Sequence, residues 1–161
     1  MLQIIAEGIF GSALNQWIVG TYWLWPLLEI IHFIGLSLLI GGLVVVDLSL
    51  VGVLRGGSWA ESHRLLPVVV AGFFLNLITG VLFFVGDPMR YSVNIAFQIK
   101  MVLILLAGLN AGYYHQRLMP MLGFNEIGPI PINVRVIGVI SLSIWFTVLA
   151  LGRLIPYLGT G

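Results

Sequence analysis

Cysteine is missing altogether from this chain of 161 residues, which rules out disulfides, iron–sulfur clusters, thiolate zinc sites and cysteine nucleophiles. Charge is nearly as scarce. Seven Lys plus Arg and six Asp plus Glu make 8% of the residues, against about a quarter in a soluble domain, and they balance to +1. That shortage excludes a soluble globular fold. It equally excludes the basic stripe that would neutralise a nucleic-acid backbone, so nucleic acid is not a partner. No Lys or Arg precedes Arg55, so the N-terminus lacks the positive n-region of a secretory signal peptide. What is present is apolar: 60% hydrophobic residues and a mean hydropathy of +1.10. Such a chain belongs in a lipid bilayer, with its chemistry drawn from three histidines, one lysine and a few carboxylates.

Four stretches supply the run of about 20 mainly apolar residues that a helical crossing needs. They cover about 25–54, 65–85, 94–118 and 134–158. Pro26 suits the first helical position, because its missing N–H would be unpaired there anyway. Arg55-Gly56-Gly57-Ser58, Gly86-Asp87-Pro88 and Pro120 end the first three spans. The connection 123–131 is too rich in Gly and Pro to be helical throughout. Residues 1–20 mix Ile4, Ile5, Ile9, Phe10 and Trp17 with Glu7, Asn15 and Gln16, a pattern for an amphipathic helix lying at the interface. The fold class is therefore all-α integral membrane, a four-transmembrane-helix bundle with an N-terminal interfacial helix. It forms a single domain without internal repeats.

Charge sets the expected orientation. Arg55, Arg64, Arg117 and Arg135 fall at one end of the spans, and Arg90 and Arg153 at the other. The end with four arginines is expected to be cytoplasmic, with both termini outside and Trp17, Trp23 and Trp25 as an outer aromatic belt. Gly108 and Gly112 on the third span, and Gly35, Gly41 and Gly42 on the first, are expected to mark close helix contacts. Asn76, Thr79, Asn110, Ser141, Ser143 and Thr147 suit helix-to-helix hydrogen bonding. No inverted repeat or pair of broken helices points to transport.

Ionisable groups inside spans carry the functional information, because each costs at least a few kcal/mol in mid-bilayer unless paired. Here they are Glu29, His32, Asp47, Lys100, His115 and Arg153. His32 lies six residues past Pro26, and Lys100 lies six past Asn94. At 1.5 Å per residue both sit roughly 9 Å into their helices, level with each other. Asp47 and His115 each follow fifteen residues later, on similar faces. Two layers result. The outer one holds Glu29, His32, Lys100 and Arg153; the inner one holds Asp47 and His115, with His63 and Arg64 beside them. For Asp47 the simplest partner is Arg55, Arg64 or protonated His115.

A b-type haem needs an axial nitrogen, an apolar slot and cations near its propionates, and the outer layer offers all three. In that reading His32 ligates iron, Lys100 is the opposite ligand or a propionate partner, and Arg153 and Arg90 neutralise propionates. Glu29, at i−3 from His32, tunes the imidazole. One haem held by both His32 and His115 is excluded, since they differ by roughly 20 Å in depth. His115 suits an interfacial anchor, or an inner metal site with His63.

The segments Trp25-Pro26-Leu27-Leu28-Glu29-Ile30-Ile31-His32-Phe33-Ile34-Gly35, Gly41-Gly42, Asp47-Leu48, Phe97-Gln98-Ile99-Lys100-Met101, His115 and Gly152-Arg153-Leu154-Ile155 resemble an uncharacterised family of small bacterial inner-membrane proteins. The first and third spans are also distantly similar to the HemJ-type protoporphyrinogen oxidases and the copper-resistance protein D membrane domain. In the HemJ type a first-helix His and a third-helix Lys serve haem b and activity, which the resemblance carries over to His32 and Lys100. The expectation is a haem-binding inner-membrane protein that transfers electrons with quinone or a partner redox subunit, as monomer or homo-oligomer. The alternatives are a non-redox accessory or structural subunit of a larger membrane complex, a copper or proton conduit, and a porphyrinogen oxidase.

Overall fold

The computed structural model describes residues 2–54, 62–121 and 130–158, and all regular structure in them is helical. In chain order these are α1 (Leu2–Ile9), α2 (Ala13–Gly20), α3 (Leu24–Val51), a 3-10 turn (His63–Leu65), α4 (Leu66–Gly86), α5 (Pro88–Val93), α6 (Ile95–Tyr113) and α7 (Ile132–Leu154). Helix α6 runs on through a π-helical turn, Tyr114–Leu118, into a short 3-10 turn. Four segments, Leu24–Val51, His63–Gly86, Ile95–Leu118 and Ile132–Leu154, are long and apolar enough to cross a membrane. Their outward faces carry large apolar side chains such as Phe33, Ile34, Leu105 and Leu109, as lipid contact requires.

The helix ends follow local chemistry. Helix α3 stops at Gly52, whose φ of 85° only glycine adopts freely and whose N–H bonds back to Leu48 O, three residues short of Arg55. Arg55 itself, and residues 122–129 of the Gly- and Pro-rich connection, lie outside the described residues. Helix α7 starts two residues before the expected span and ends at Leu154, because Pro156 has no N–H to continue the ladder. The Asn94 side chain caps α6 by accepting from Phe97 N at 3.0 Å.

Residues 1–20 differ from expectation. Two short helices replace one, because Gly11 takes a φ of +74° and Ser12 caps α2 by accepting from Asn15 N. Both helices are docked on the rest of the molecule. Asn15, 7% exposed, donates to Val85 O at 2.8 Å and Gly86 O at 3.2 Å, the last carbonyls of α4, and accepts from Gly11 N. Helix α1 lies on α5, with Ala6 and Ser92 buried.

Packing is organised as two helix pairs, α3 with α4 and α6 with α7, joined where α3 meets α7. Glycine sets the first pair. A Cβ at Gly72 would lie 2.6 Å from Leu39 N and 2.7 Å from Gly35 O, and one at Gly42 would lie 2.5 Å from the Val69 side chain. Gly138 makes the joint, with its Cβ position 3.1 Å from Asp47 O. The expected contacts at Gly41, Gly108 and Gly112 are not made: no described residue lies within 4 Å of a Cβ at any of them. These three sit on open faces, and spacing on one helix cannot reveal which face its neighbour covers. The apolar clusters lie at the two ends, one around Val46, Leu50, Tyr114, Leu118 and Val134, the other around Ile18, Leu24, Leu28 and Val85.

Gly72→Val should destabilise the protein by about 1–3 kcal/mol through overpacking of α3 against α4. Gly108→Val should change stability by less than about 0.5 kcal/mol. Unfolding by sodium dodecyl sulfate titration in mixed micelles measures both.

Candidate functional site

The antiparallel register of α3 and α4 determines what His32 meets. Leu39 faces Gly72, and seven residues away on both helices His32 faces Thr79. Seven residues is about two turns, so both pairs fall on one stripe. His32 Nδ1 and Thr79 Oγ1 are 2.7 Å apart. Thr79 spends its single hydroxyl proton on Leu75 O at 2.6 Å, the usual back-bond of a helical threonine. Its oxygen is therefore the acceptor, and His32 Nδ1–H the donor. That assigns the neutral tautomer in which Nε2 carries an open lone pair. The ring is further held edge-on by Phe83, with centroids 5.4 Å apart.

Lys100 on α6 lies near enough to His32 for the two groups to interact electrostatically. Its amine rests against α7, where a Cβ at Gly152 would lie 3.2 Å from Nζ. Gly152 thus makes the room the lysine needs. Among the described residues the ion pair present is Arg90–Asp87 at 4.0 Å, so no carboxylate pairs with Lys100. Side chains rather than backbones bridge α4 and α6 here, with Phe84 stacked on Phe97 at 5.6 Å. Four helices therefore contribute to the His32 end: α3, α4, α6 and α7.

The other residues expected at this end lie toward its rim. Glu29 is exposed and acts on Tyr91, while Thr79 occupies the position at the His32 ring that Glu29 was expected to fill. Burial pushes the Tyr91 phenol above its ordinary value, Arg90 pulls it back, and Asp87 and Glu29 add to the rise. Arg90 is exposed beside Asp87, and Arg153 is exposed with its guanidinium 5.5 Å from the Tyr157 ring centre. Asn94, 1% exposed, ties this rim together by donating to Ile155 O at 2.9 Å and to Leu158 O. A surface cleft of about 380 Å³ opens nearby between Ile18, Tyr22, Trp25 and Asp87, and His32 does not line it.

The opposite end separates residues that the sequence grouped. His115 is exposed on the π-helical turn and does not meet Asp47, and His63 is bonded to Tyr114 at 2.5 Å. Asp47 faces the Ser141 hydroxyl, while Arg64, one of its expected partners, is exposed. Among the described residues no group of three His, Cys, Asp or Glu is placed to hold a metal ion. Two participants escaped sequence reasoning. Thr79 was legible only as a generic helix contact, although its seven-residue spacing from Gly72 was a usable signal. Tyr114 gave none, because the π-helical turn that buries it has no marker in the sequence.

No protein-family model matches this chain, and no curated protein or solved structure matches it significantly.

Thr79→Val removes the acceptor for His32 Nδ1–H without changing volume, leaving a half-buried donor unpaired. A loss of about 1–3 kcal/mol in stability is expected. Nitrogen NMR of labelled histidine should show His32 as the Nδ1–H tautomer in the parent protein and a mixture in the variant.

Proposed function

We propose that this protein binds a b-type haem at the His32 end of the bundle and transfers electrons between it and a quinone or a partner redox subunit. The observation that carries the reading is the 2.7 Å contact of His32 Nδ1 with Thr79 Oγ1, whose own proton goes to Leu75 O, an arrangement that leaves Nε2 as the lone-pair nitrogen. That is the donor an axial position requires, and ligating histidines characteristically donate their other nitrogen to a fixed acceptor. On this reading each residue of the His32 end would have one task. His32 would be the ligand, Lys100 a second ligand or a propionate partner, and Arg90 and Arg153 the rim cations for propionates. When bound, the haem supplies reversible one-electron chemistry.

The chain's own residues do the rest. Thr79 sets the orientation and protonation of the ring, and Phe83 limits its rotation. A hydroxyl is a weaker acceptor than a carboxylate, so the imidazole would be a weaker donor to a bound iron than one backed by Glu29. Gly152 leaves space for the Lys100 amine. One observation favours a second reading. Lys100 fits closely against α7, as it would in an accessory membrane subunit whose polar groups serve only to join helices.

Visible spectroscopy of the protein purified in detergent after expression with ample haem separates the two readings. The expected result is a Soret band at near one haem per chain, lost in His32→Ala and kept but shifted in Lys100→Met. A parent protein with no Soret band overturns the haem reading in favour of the accessory one.

A further inference from the structure

The end of the bundle away from His32 holds a carboxyl group that no described residue neutralises. Asp47 is 4% exposed, and its Oδ2 has no hydrogen-bond partner. Three described elements surround it. Helix α7 presents the Ser141 hydroxyl and, at Gly138, a backbone so close that a Cβ would lie 3.1 Å from Asp47 O. The π-helical turn presents Tyr114, 8% exposed and in electrostatic reach of Asp47. The start of α4 and the turn before it present Leu65 and Leu66 to the adjoining apolar cluster, and His63 on to Tyr114. Arg64, His115, Arg117 and Arg135 are all exposed, and none forms an ion pair with Asp47.

An ionised carboxylate so enclosed, with one hydroxyl for company, loses its hydration and gains no cation in return from the described residues. The neutral acid avoids that loss and brings its own O–H donor. The widened turn buries Tyr114 and Leu118 together while His115, Gln116 and Arg117 stay exposed, and such turns recur at functional sites. The Tyr114 phenol is bonded to His63, which sits half-buried at the mouth of α4, and interacts electrostatically with Asp47.

We infer that Asp47 is a proton-binding carboxyl that exchanges its proton with the Arg64 end of the bundle through Tyr114 and His63. In the outward direction Tyr114 takes the proton from Asp47 and passes its own hydroxyl proton to His63 Nε2. Tyr114 is unchanged by the transfer, and Asp47 is left as the carboxylate. Nothing is oxidised or reduced. This inference goes beyond the haem reading and shares no residue with it, so either can fail alone.

The test uses the full chain in proteoliposomes and two readouts. Dicyclohexylcarbodiimide adds to a protonated carboxyl in apolar surroundings and leaves a stable N-acylurea. Peptide mapping should find it on Asp47, faster at lower pH, and find none after Asp47→Asn. Infrared spectra should show a protonated-carboxyl C=O band that Asp47→Asn removes and that shifts on transfer to D2O. The D2O shift should be markedly slower in Tyr114→Phe and, as an independent variant, in His63→Gln. Absence of both the adduct and the band overturns the proton site. Unchanged exchange in both variants overturns the route.

Discussion

The close approach of α3 to α4 at Gly35 and Gly72 is the contact on which the placement of other groups depends. With backbone nearly touching backbone, neither helix can rotate or slide without a clash. Between lipid-facing helices there is no hydrophobic drive to association, so such steric fit and interhelical hydrogen bonds must hold the pair. The same register that seats Leu39 on Gly72 brings His32 to Thr79, and it seats Gly42 against Val69 at the other end of the stripe. The contact of His32 with Thr79 is thus a consequence of glycine packing two turns away.

A second demand is that helix ends be closed without water. The final carbonyls of a helix have no partners within it, and two buried asparagines meet that need at the His32 end. Asn15 reaches the end of α4, and Asn94 caps α6 while holding the end of α7. The N-terminal helices are therefore bound to the bundle through hydrogen bonds as well as apolar contact. Asp47 stands apart from this economy of paired groups. It is enclosed by Gly138, Ser141 and the Tyr114 turn, with one oxygen left over.

Much of the architecture was legible. Apolar runs of sufficient length, punctuated by Gly and Pro, located four helices to within a few residues at most ends. Counting residues from Pro26 and Asn94 put His32 and Lys100 at one level, since rise per residue is constant in a helix whatever surrounds it. Small residues were a poorer guide. Gly35 and Gly42 do make contacts, whereas Gly41, Gly108 and Gly112 face open space, and nothing in their own segments distinguishes the two groups.

Composition and local pattern by themselves determined the helical class, the four helices long and apolar enough to cross a membrane, and the spacing of the ionisable groups along each helix. These follow from the cost of an unpaired amide in hydrocarbon and from a fixed helical rise. Only the tertiary structure decided that Thr79 rather than Glu29 holds His32, that His63 meets Tyr114 rather than His115, and that no described cation pairs with Asp47. Those outcomes depend on helix rotation and register, which are set by contacts between segments far apart in the chain, and a one-dimensional pattern does not carry them.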